Sequence, residues 1–213
     1  GQGTLGSGEG ALRLDARLAR LDRFVPELPG PLTLSANFDR TGDRLDGTAE
    51  LRGPRETSMD LDGSFTLEGA ADFAFDAFVA APEAFAPQLA GAPLVAKGTA
   101  TRRDGRWTAQ TDLSATGGAQ ARIKGAFDEA QGAVDLDLSA LIARIEQFAP
   151  SIKGQATTKL TATRRNGEWQ AEGDLTAPGD STARFDGSFT EASGDVDLSL
   201  KAEVANVRAF TAS

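Results

Sequence analysis

The chain of 213 residues contains no cysteine, no histidine and no tyrosine. Without cysteine no disulfide can cross-link the chain, and the sequence does not indicate whether the protein works in an oxidising or a reducing compartment. Without histidine there is no His-based triad, no HExxH zinc site and no side chain that ordinarily titrates near neutral pH. No pair of acidic residues stands out as a glycosidase pair would. The sequence therefore predicts a protein that is not an enzyme and that holds neither a metal nor a cofactor.

Long hydrophobic runs and an excess of positive charge are absent as well. No apolar run approaches the roughly 18 residues that a membrane-spanning helix needs, and no signal-peptide pattern opens the chain. Lysine and arginine number 22 against 31 aspartates and glutamates, and this net charge of −9 argues against a nucleic-acid surface. Gly1, Gly3 and Gly6 match GxGxxG, but no strand precedes Gly1 as a dinucleotide site would require. Residues 1–10 are better explained as a flexible terminus.

What the sequence does contain is a repeat. The stretch Gly98–Phe127 occurs again as Leu160–Phe189, with Trp107 matching Trp169. A weaker copy lies at the same spacing before the first, where Leu45 takes the place of Trp107. Three copies with one period, of roughly 62 residues, are typical of a repeat protein. We expect a fragment of a longer protein, because both ends fall inside a repeat; the segments are a partial repeat at 1–30 and full repeats at 31–91, 92–154 and 155–213.

Within each repeat, apolar and polar residues alternate. Leu32, Leu34 and Ala36, for example, are separated by single polar residues. Because successive side chains of a strand point to opposite faces, such a run predicts a strand with one apolar and one polar face. Asp104-Gly105 and Asn166-Gly167 lie between such runs and are strong signals of two-residue hairpins. We predict four antiparallel strands of seven to nine residues in each repeat, about fourteen in all.

A connector with a different period closes each repeat. Ile142, Ile145 and Phe148 are spaced by three and are followed by Pro150 and Gly154. This spacing, closed by proline and glycine, predicts one short helix of two turns or fewer in each connector. The pattern recurs at Leu18, Leu21, Phe24, Pro26 and Gly30, at Val79, Pro82, Phe85, Pro87 and Gly91, and at Val204, Val207 and Phe210.

The apolar faces of so many strands cannot all stay in water. A flat sheet of this size would expose far more apolar area than a soluble surface tolerates. The sheet must fold into a sandwich, close into a barrel or curl into a trough with an apolar inside. Small residues in the apolar rows permit curvature and leave room inside, which favours the trough; they are Gly47, Ala49, Gly98, Ala109, Ala171 and Gly173.

These features together resemble the TamB family within the AsmA-like group of bacterial envelope proteins. The resemblance rests on the alternating strands, the TATRRxGxW hairpins, the GxF strand ends and the FAPxLxG connectors at Phe85–Gly91 and Phe148–Gly154. It covers residues 10–213 and implies a β-taco, an elongated curled sheet with a hydrophobic interior. It also implies a periplasmic location, with the parent protein anchored in the inner membrane of a Gram-negative bacterium and meeting an Omp85-type barrel in the outer membrane. The connectors leave open whether the groove runs uninterrupted.

The apolar rows are the candidate site. From the residues alone, an ordinary core is the favoured interpretation of these rows. The resemblance instead implies that they line a groove that contacts phospholipid acyl chains. The lining residues are Leu34, Phe38, Leu45, Leu51, Met59, Leu61, Phe65, Phe73, Phe75, Trp107, Leu113, Ile123, Phe127, Val134, Leu136, Leu138, Trp169, Leu175, Phe185, Phe189, Val196, Leu198 and Leu200.

Three other groups have two interpretations each. Trp107 and Trp169 either gate the trough edge or anchor a strand end. The aspartates Asp60, Asp62, Asp135, Asp137 and Asp197 either bind Ca²⁺ or form a solvated face, and the missing loop ligands favour the solvated face. The hairpin-tip arginines either contact a phospholipid headgroup or carry solvated charge; they are Arg102, Arg103, Arg106, Arg164 and Arg165.

The sequence and the resemblance together suggest three alternative functions. The first is a segment of a bridge protein that carries phospholipid between the inner and outer membranes and supports outer-membrane biogenesis. The second is a scaffold whose strand edges capture client strands during outer-membrane protein assembly or secretion with an Omp85-type barrel, without lipid transport. The third is an inert structural repeat, such as a stalk.

Overall fold

The alternating runs form β-strands, and the turn residues between them form the connections. The structure, a computed structural model, describes residues 9–21, 29–84, 93–115, 118–147 and 152–206. In these residues, thirteen antiparallel strands form one open sheet whose strand order is the order of the chain. The prediction of an all-β antiparallel repeat array is therefore confirmed, with thirteen strands where about fourteen were expected.

The chain divides into two units, residues 1–104 and 105–213. The first unit contains β1 (Glu9–Leu18), β2 (Leu32–Thr41), β3 (Arg44–Arg52), β4 (Ser58–Thr66), β5 (Ala71–Val79) and β6 (Leu94–Arg103). The second unit contains β7 (Arg106–Ala115), β8 (Ala119–Asp128), β9 (Ala133–Ile142), β10 (Ala156–Arg165), β11 (Glu168–Ala177), β12 (Ser181–Thr190) and β13 (Val196–Glu203).

The strand positions repeat with the period of the sequence. Strands β2, β6 and β10 begin at residues 32, 94 and 156, and β3, β7 and β11 begin at residues 44, 106 and 168. Each start lies one full period after its equivalent. Strand β1 begins at residue 9, two periods before β9 at residue 133, so β1 is equivalent to the fourth strand of a repeat. The strands have eight to ten residues, slightly more than predicted.

The predicted two-residue hairpin turns are present. Asn166 and Gly167 have φ angles of 54° and 80°, both in the left-handed region, and the strands β10 and β11 that they join pair antiparallel. Asp104 and Gly105 have φ angles of 51° and 74°. Positive φ at both turn residues matches the right-handed twist of the flanking strands, and asparagine, aspartate and glycine adopt it at the least cost.

The predicted connector helix is wrong. Among the described residues the connectors contain only short 3₁₀ segments, at Leu21, Pro82–Ala84 and Ile145–Gln147, and no α-helix. A spacing of three is the period of a 3₁₀ turn rather than of an α-helix, and so short a segment cannot repay the cost of nucleating a helix. The remaining predicted connector residues lie outside the described part of the chain; they are Phe24, Pro26, Phe85, Pro87, Gly91, Phe148, Pro150, Val207 and Phe210.

A backbone hydrogen bond closes each of the two connectors whose ends are described. The amide of Ile145 donates to the carbonyl of Gly154 at 2.8 Å, and the amide of Leu21 donates to the carbonyl of Gly30 at 2.8 Å. The two glycines have φ angles of 125° and 134°, a region that side chains disfavour. In each of these connectors, therefore, the described residues at the two ends are joined to each other.

Few side chains are buried in this sheet. Among the described residues, the buried apolar side chains are Ala36, Ala71 and Ala133, at 3%, 6% and 7% exposure, together with Pro54 and Pro82, and no large side chain is fully buried. The described residues thus have no dry core of the kind found in a packed sandwich.

Candidate functional site

The strand register of the first unit brings its predicted groove residues onto one face. Leu34 pairs with Leu51, which pairs with Met59, and the neighbouring rows are aligned in the same way. Because residues directly opposite in an antiparallel pair share a face, every row stays on its own side of the sheet. The groove residues placed on this face are Leu34, Phe38, Leu45, Leu51, Met59, Leu61, Phe65, Phe73 and Phe75.

The second unit has an equivalent face. Its rows run across the strands, for example from Trp107 to Phe127 to Val134 and from Trp169 to Phe189 to Val196. The groove residues on this face are Trp107, Leu113, Ile123, Phe127, Val134, Leu136, Leu138, Trp169, Leu175, Phe185, Phe189, Val196, Leu198 and Leu200. In each unit, then, all the predicted residues lie on a common apolar face.

This apolar face is only partly covered. Phe65, Phe127 and Phe189, which occupy equivalent positions in the three repeats, are 39%, 41% and 39% exposed. Most of the other large apolar side chains of the inner strands are half-buried. Their cover comes from neighbours in the same sheet, since no second layer packs on them among the described residues. The face can therefore receive an apolar ligand without unfolding a core.

Three glycines on the apolar face, two of them among the small residues expected to leave room, lie against rings of the neighbouring strand. A Cβ atom added at Gly47 would lie 2.4 Å from Phe38 Cδ1, and one at Gly63 would lie 2.4 Å from Phe73 Cδ1. In the second unit, a Cβ atom at Gly173 would lie 2.4 Å from Phe185 Cε1. At these three positions a phenylalanine ring occupies the space that a side chain would fill.

Both tryptophans are hydrogen-bonded to a glutamate in the turn that follows the third strand of their repeat. Trp107 Nε1 donates to Glu129 Oε1 at 2.8 Å, and Trp169 Nε1 donates to Glu191 Oε1 at 2.8 Å. The backbone amide of Glu191 donates to the carbonyl of Gly167 at 2.9 Å. This turn is thereby tied to the preceding hairpin. The indoles make the contacts of an anchor, and gating stays a hypothesis.

In the third repeat an arginine completes this arrangement. Arg164 Nε donates to Glu191 Oε1 at 2.7 Å, and Arg164 Nη2 donates to Glu191 Oε2 at 2.7 Å. The Arg164 guanidinium, followed by the Trp169 indole, lowers the pKa of Glu191 to about 2. Glu191 in turn raises the pKa of Arg164. A guanidinium thus lies at the margin of the apolar face, held by a carboxylate and beside an aromatic residue.

The first repeat uses apolar residues at the same places. Leu45 and Leu67 stand one period before Trp107 and Glu129, and the amide of Leu67 donates to the carbonyl of Asp43 at 3.0 Å as Glu129 does to Gly105. The backbone contact is therefore common to all three repeats, whereas the indole–carboxylate bond is made in two of them. Tryptophan and glutamate change together, which is the sequence signal that could have revealed their contact.

Four of the five hairpin-tip arginines contact a carboxylate, and Arg102 donates to the carbonyl of Gly69. Arg103 Nη2 donates to both carboxylate oxygens of Asp72, at 2.8 and 2.6 Å. Arg165 and Arg106 share Asp135, with Arg106 at 3.4 Å, and Arg165 makes the largest contribution to the lowered pKa of Asp135. A phospholipid headgroup would have to exchange with these carboxylates, so headgroup contact remains a hypothesis.

The acidic residues lie on the polar face, as predicted. Asp60, for instance, pairs with Arg52 at 3.1 Å. The part of the chain that the structure describes contains no cluster of three acidic side chains arranged to hold a metal ion. Two depressions of about 490 and 360 Å³ lie on the polar face of the first unit, and their carboxylates and hydroxyls do not suit an acyl chain; the lining includes Asn37, Thr48, Asp62 and Ala74.

Comparisons with known proteins give no family assignment. No protein-family model, no curated protein and no solved structure matches the chain. In the described ranges, none of the helical segments has the length and apolar character needed to span a bilayer.

Proposed function

We propose that this chain is a segment of a periplasm-spanning bridge protein of the TamB type, whose apolar β-face carries phospholipid between the inner and outer membranes. Acyl chains lie along the apolar face, while the acidic polar face keeps the segment in solution. The curled trough belongs to this proposal, as does a membrane anchor outside the segment. The repeated strand, hairpin and connector patterns of the sequence support the TamB-type family, and the geometry of the apolar face supports phospholipid as the ligand.

The observation that carries the proposal is the exposure of three phenylalanines that occupy equivalent positions in the three repeats. Phe65, Phe127 and Phe189 leave about two fifths of their surface exposed on a face with no covering layer among the described residues. Each CH₂ group of an acyl chain transferred from water to such a face gains about 0.8 kcal/mol. A repeated face offers an acyl chain equivalent contacts once per repeat. Binding that is repeated and non-directional retains a lipid and still allows it to move along the face.

The tryptophans provide a direct test. Trp107 and Trp169 are the only tryptophans, the chain has no tyrosine, and both indoles belong to the apolar face. We expect phospholipid with bromine atoms on its acyl chains to quench their fluorescence, and unbrominated phospholipid to leave the intensity higher. W107F and W169F assign the quenching to each tryptophan position. Stoichiometric phospholipid in organic extracts of the purified protein, measured by mass spectrometry, is the second expected result.

A matched pair of variants separates the apolar face from general charge. Leu136→Asp places a carboxylate on the apolar face of β9. Ser139→Asp places one on the polar face of the same strand, where Ser139 pairs with Arg122 and Lys159. We expect the first variant to lose most of the quenching and the second to keep it, with both folded by circular dichroism. Equal quenching in the two variants contradicts the proposal. So does an absence of quenching in the wild type when its organic extracts also contain no phospholipid.

The second candidate, a scaffold that captures client strands without lipid transport, is favoured by the strand edges. β1 and β13 are the terminal strands of the sheet order, and each is paired on one side only among the described residues. Unpaired edge groups are a template for strand addition. A scaffold of this kind predicts no acyl-chain quenching, so the same experiment distinguishes the two functions.

A further inference from the structure

One cross-strand row on the apolar face of the second unit contains a cation. Val134 of β9 pairs with Arg164 of β10, and Arg164 pairs with Trp169 of β11. Trp169 pairs in turn with Phe189 of β12. Because residues directly opposite in antiparallel strands share a face, Arg164 belongs to the apolar face, whereas its neighbour Arg165 belongs to the polar face. The row therefore joins a guanidinium to the apolar side chains that the proposed function assigns to acyl chains.

The guanidinium of Arg164 is held in place but is not saturated. Nε and Nη2 donate to Glu191, and Nη1 donates to the carbonyl of Gly132. An arginine has five N–H donors. In the part of the chain that the structure describes, the other two make no hydrogen bond, and the side chains of Arg164 and Glu191 are 26% and 39% exposed. An anion from solvent can therefore reach a guanidinium whose position is already fixed.

The exposure of Glu191 is a feature of the repeat. Glu129 occupies the equivalent turn one period earlier, and strands β9 and β10 follow it in the sheet. Glu129 is nevertheless exposed. Phe127 and Phe189, which lie two residues before these glutamates, are also similarly exposed, at 41% and 39%. Further strands in the sheet thus leave this margin of the apolar face open.

We propose that Arg164 and Glu191 form a headgroup site for a zwitterionic phospholipid, with the phosphate bound to Arg164 and the ammonium of phosphoethanolamine bound to Glu191. The inference rests on the proposed function and names the class of lipid that it selects. Trp169 and Phe189 continue the row from Arg164, so one face binds both the headgroup and the acyl chains. Guanidinium and phosphate form strong charge-assisted hydrogen bonds.

The charges of the pair select the headgroup. A phosphate on Arg164 competes with Glu191 for the guanidinium and places a second anion beside that carboxylate. An anionic phosphoglycerol headgroup brings no cation to offset this repulsion. Phosphoethanolamine brings an ammonium with three N–H donors, so each member of the pair keeps an opposite charge. Phosphocholine brings the charge without the donors and should rank between the two.

The experiment measures headgroup preference by competition. The whole chain is loaded with phosphatidylcholine that carries bromine on its acyl chains, which quenches the tryptophans. Unbrominated short-chain lipids with identical acyl chains and ethanolamine, choline or glycerol headgroups are then added below their micelle-forming concentrations, and the recovery of fluorescence is followed. We expect the ethanolamine lipid to displace the brominated lipid at a several-fold lower concentration than the glycerol lipid.

Two variants that each remove one negative charge separate this site from general charge. Glu191→Gln removes the acceptor for the ammonium and leaves the cation of Arg164, so it should invert the preference towards the glycerol lipid. Glu172→Gln is the matched control, because Glu172 lies on the polar face of β11, 3.6 Å from Arg184, and should leave the preference unchanged. A ratio between two lipids does not depend on the fraction of folded protein, so a merely structural role of Glu191 would not move it.

The outcomes separate the headgroup site from the proposed function. Inverted preference in E191Q together with unchanged preference in E172Q supports the headgroup site. Equal displacement by the three lipids, or a preference that E191Q leaves unchanged or that both variants change alike, overturns the headgroup site alone. If the brominated lipid does not quench the wild type at all, the proposed function fails and the headgroup site fails with it.

Discussion

Arg164 and Glu191, 27 residues apart in the chain, form a two-pronged ion pair with both N–O distances at 2.7 Å. Arg164 is the penultimate residue of β10, and Glu191 follows β12, so the pair spans the width of β11. Arg164 Nη1 also donates to the carbonyl of Gly132 at 2.5 Å. One guanidinium thus links three chain segments at the margin of the apolar face. Bidentate geometry of this kind gives an ion pair more specificity than a single contact.

The first prediction concerns the pH dependence of this pair. The folded-state pKa of Glu191 is about 2, below its ordinary value of 4.5, so its stabilising contribution is fully present above pH 4.5 and is lost as the pH falls towards 2. Glu191→Gln should lower the urea midpoint at pH 6. The difference from the wild type should shrink as the pH is lowered from 4.5 to 2.5.

A second carboxylate of the same unit is the control. Glu172 lies 3.6 Å from Arg184, and both side chains are more than 60% exposed. Such pairs are worth little, so Glu172→Gln should leave the midpoint close to that of the wild type. A midpoint difference for Glu191→Gln that stays constant from pH 6 to pH 2.5 would show that the ion pair does not stabilise the fold.

The second prediction concerns the packing of rings over glycines. Gly173 lies opposite Phe185, while one repeat earlier the equivalent pair is Thr111 opposite Ile123. Gly173→Thr should destabilise the protein by about 1–3 kcal/mol, because its Cβ would lie 2.4 Å from the ring and 3.0 Å from the carbonyl oxygen of Lys159. Phe185→Ile in the same chain should recover much of this loss, since it recreates the pair of the second repeat.

A double-mutant cycle measured by urea unfolding tests this coupling. We expect the two substitutions together to cost clearly less than the sum of their separate effects. Ala162 and Ala171, which are also opposite each other but contain neither glycine nor ring, offer a comparison pair. Strict additivity at Gly173 and Phe185 would mean that the neighbouring strands adjust independently and that the ring does not require the glycine.

The period-two pattern was sufficient to predict the strands and the shared face of the groove residues. Alternation at Leu32, Leu34 and Ala36 is local, and the repeat places equivalent rows on neighbouring strands. The position of the Phe185 ring over Gly173 depends on a side-chain torsion, which no period encodes. The ion pair of Arg164 was missed for a related reason: each partner looks like ordinary turn charge until the strands are aligned.

The connectors were mispredicted because spacing was given more weight than length. Three apolar residues spaced by three suit either a short helix or a 3₁₀ turn, and in a segment of two turns or fewer the cost of nucleating a helix decides. The sequence predicts Gly154 as the residue that ends the connector helix. In the structure Gly154 instead accepts the hydrogen bond from Ile145 that closes the loop.

The third prediction tests that loop closure. Gly154→Ala places a Cβ atom 3.1 Å from Pro178 Cγ at a φ of 125°, a region almost confined to glycine, and should cost about 1–3 kcal/mol. Gly194→Ala is the control: its φ is 75° and nothing lies within 4 Å of the added Cβ, so only the smaller left-handed penalty applies. Equal losses of stability in urea unfolding would show that the conformation of Gly154 is not what holds the loop.

The fourth prediction compares two leucines at the same repeat position. Leu136 lies on β9 between β8 and β10, whereas Leu198 lies on the edge strand β13 and is 66% exposed. Leu136→Ala should cost about 1–2 kcal/mol, because it removes apolar contacts on both sides, and Leu198→Ala should stay within about 0.5 kcal/mol. If the two leucines cost the same, Leu198 is covered in solution as Leu136 is, and the partial cover of the apolar face must be revised.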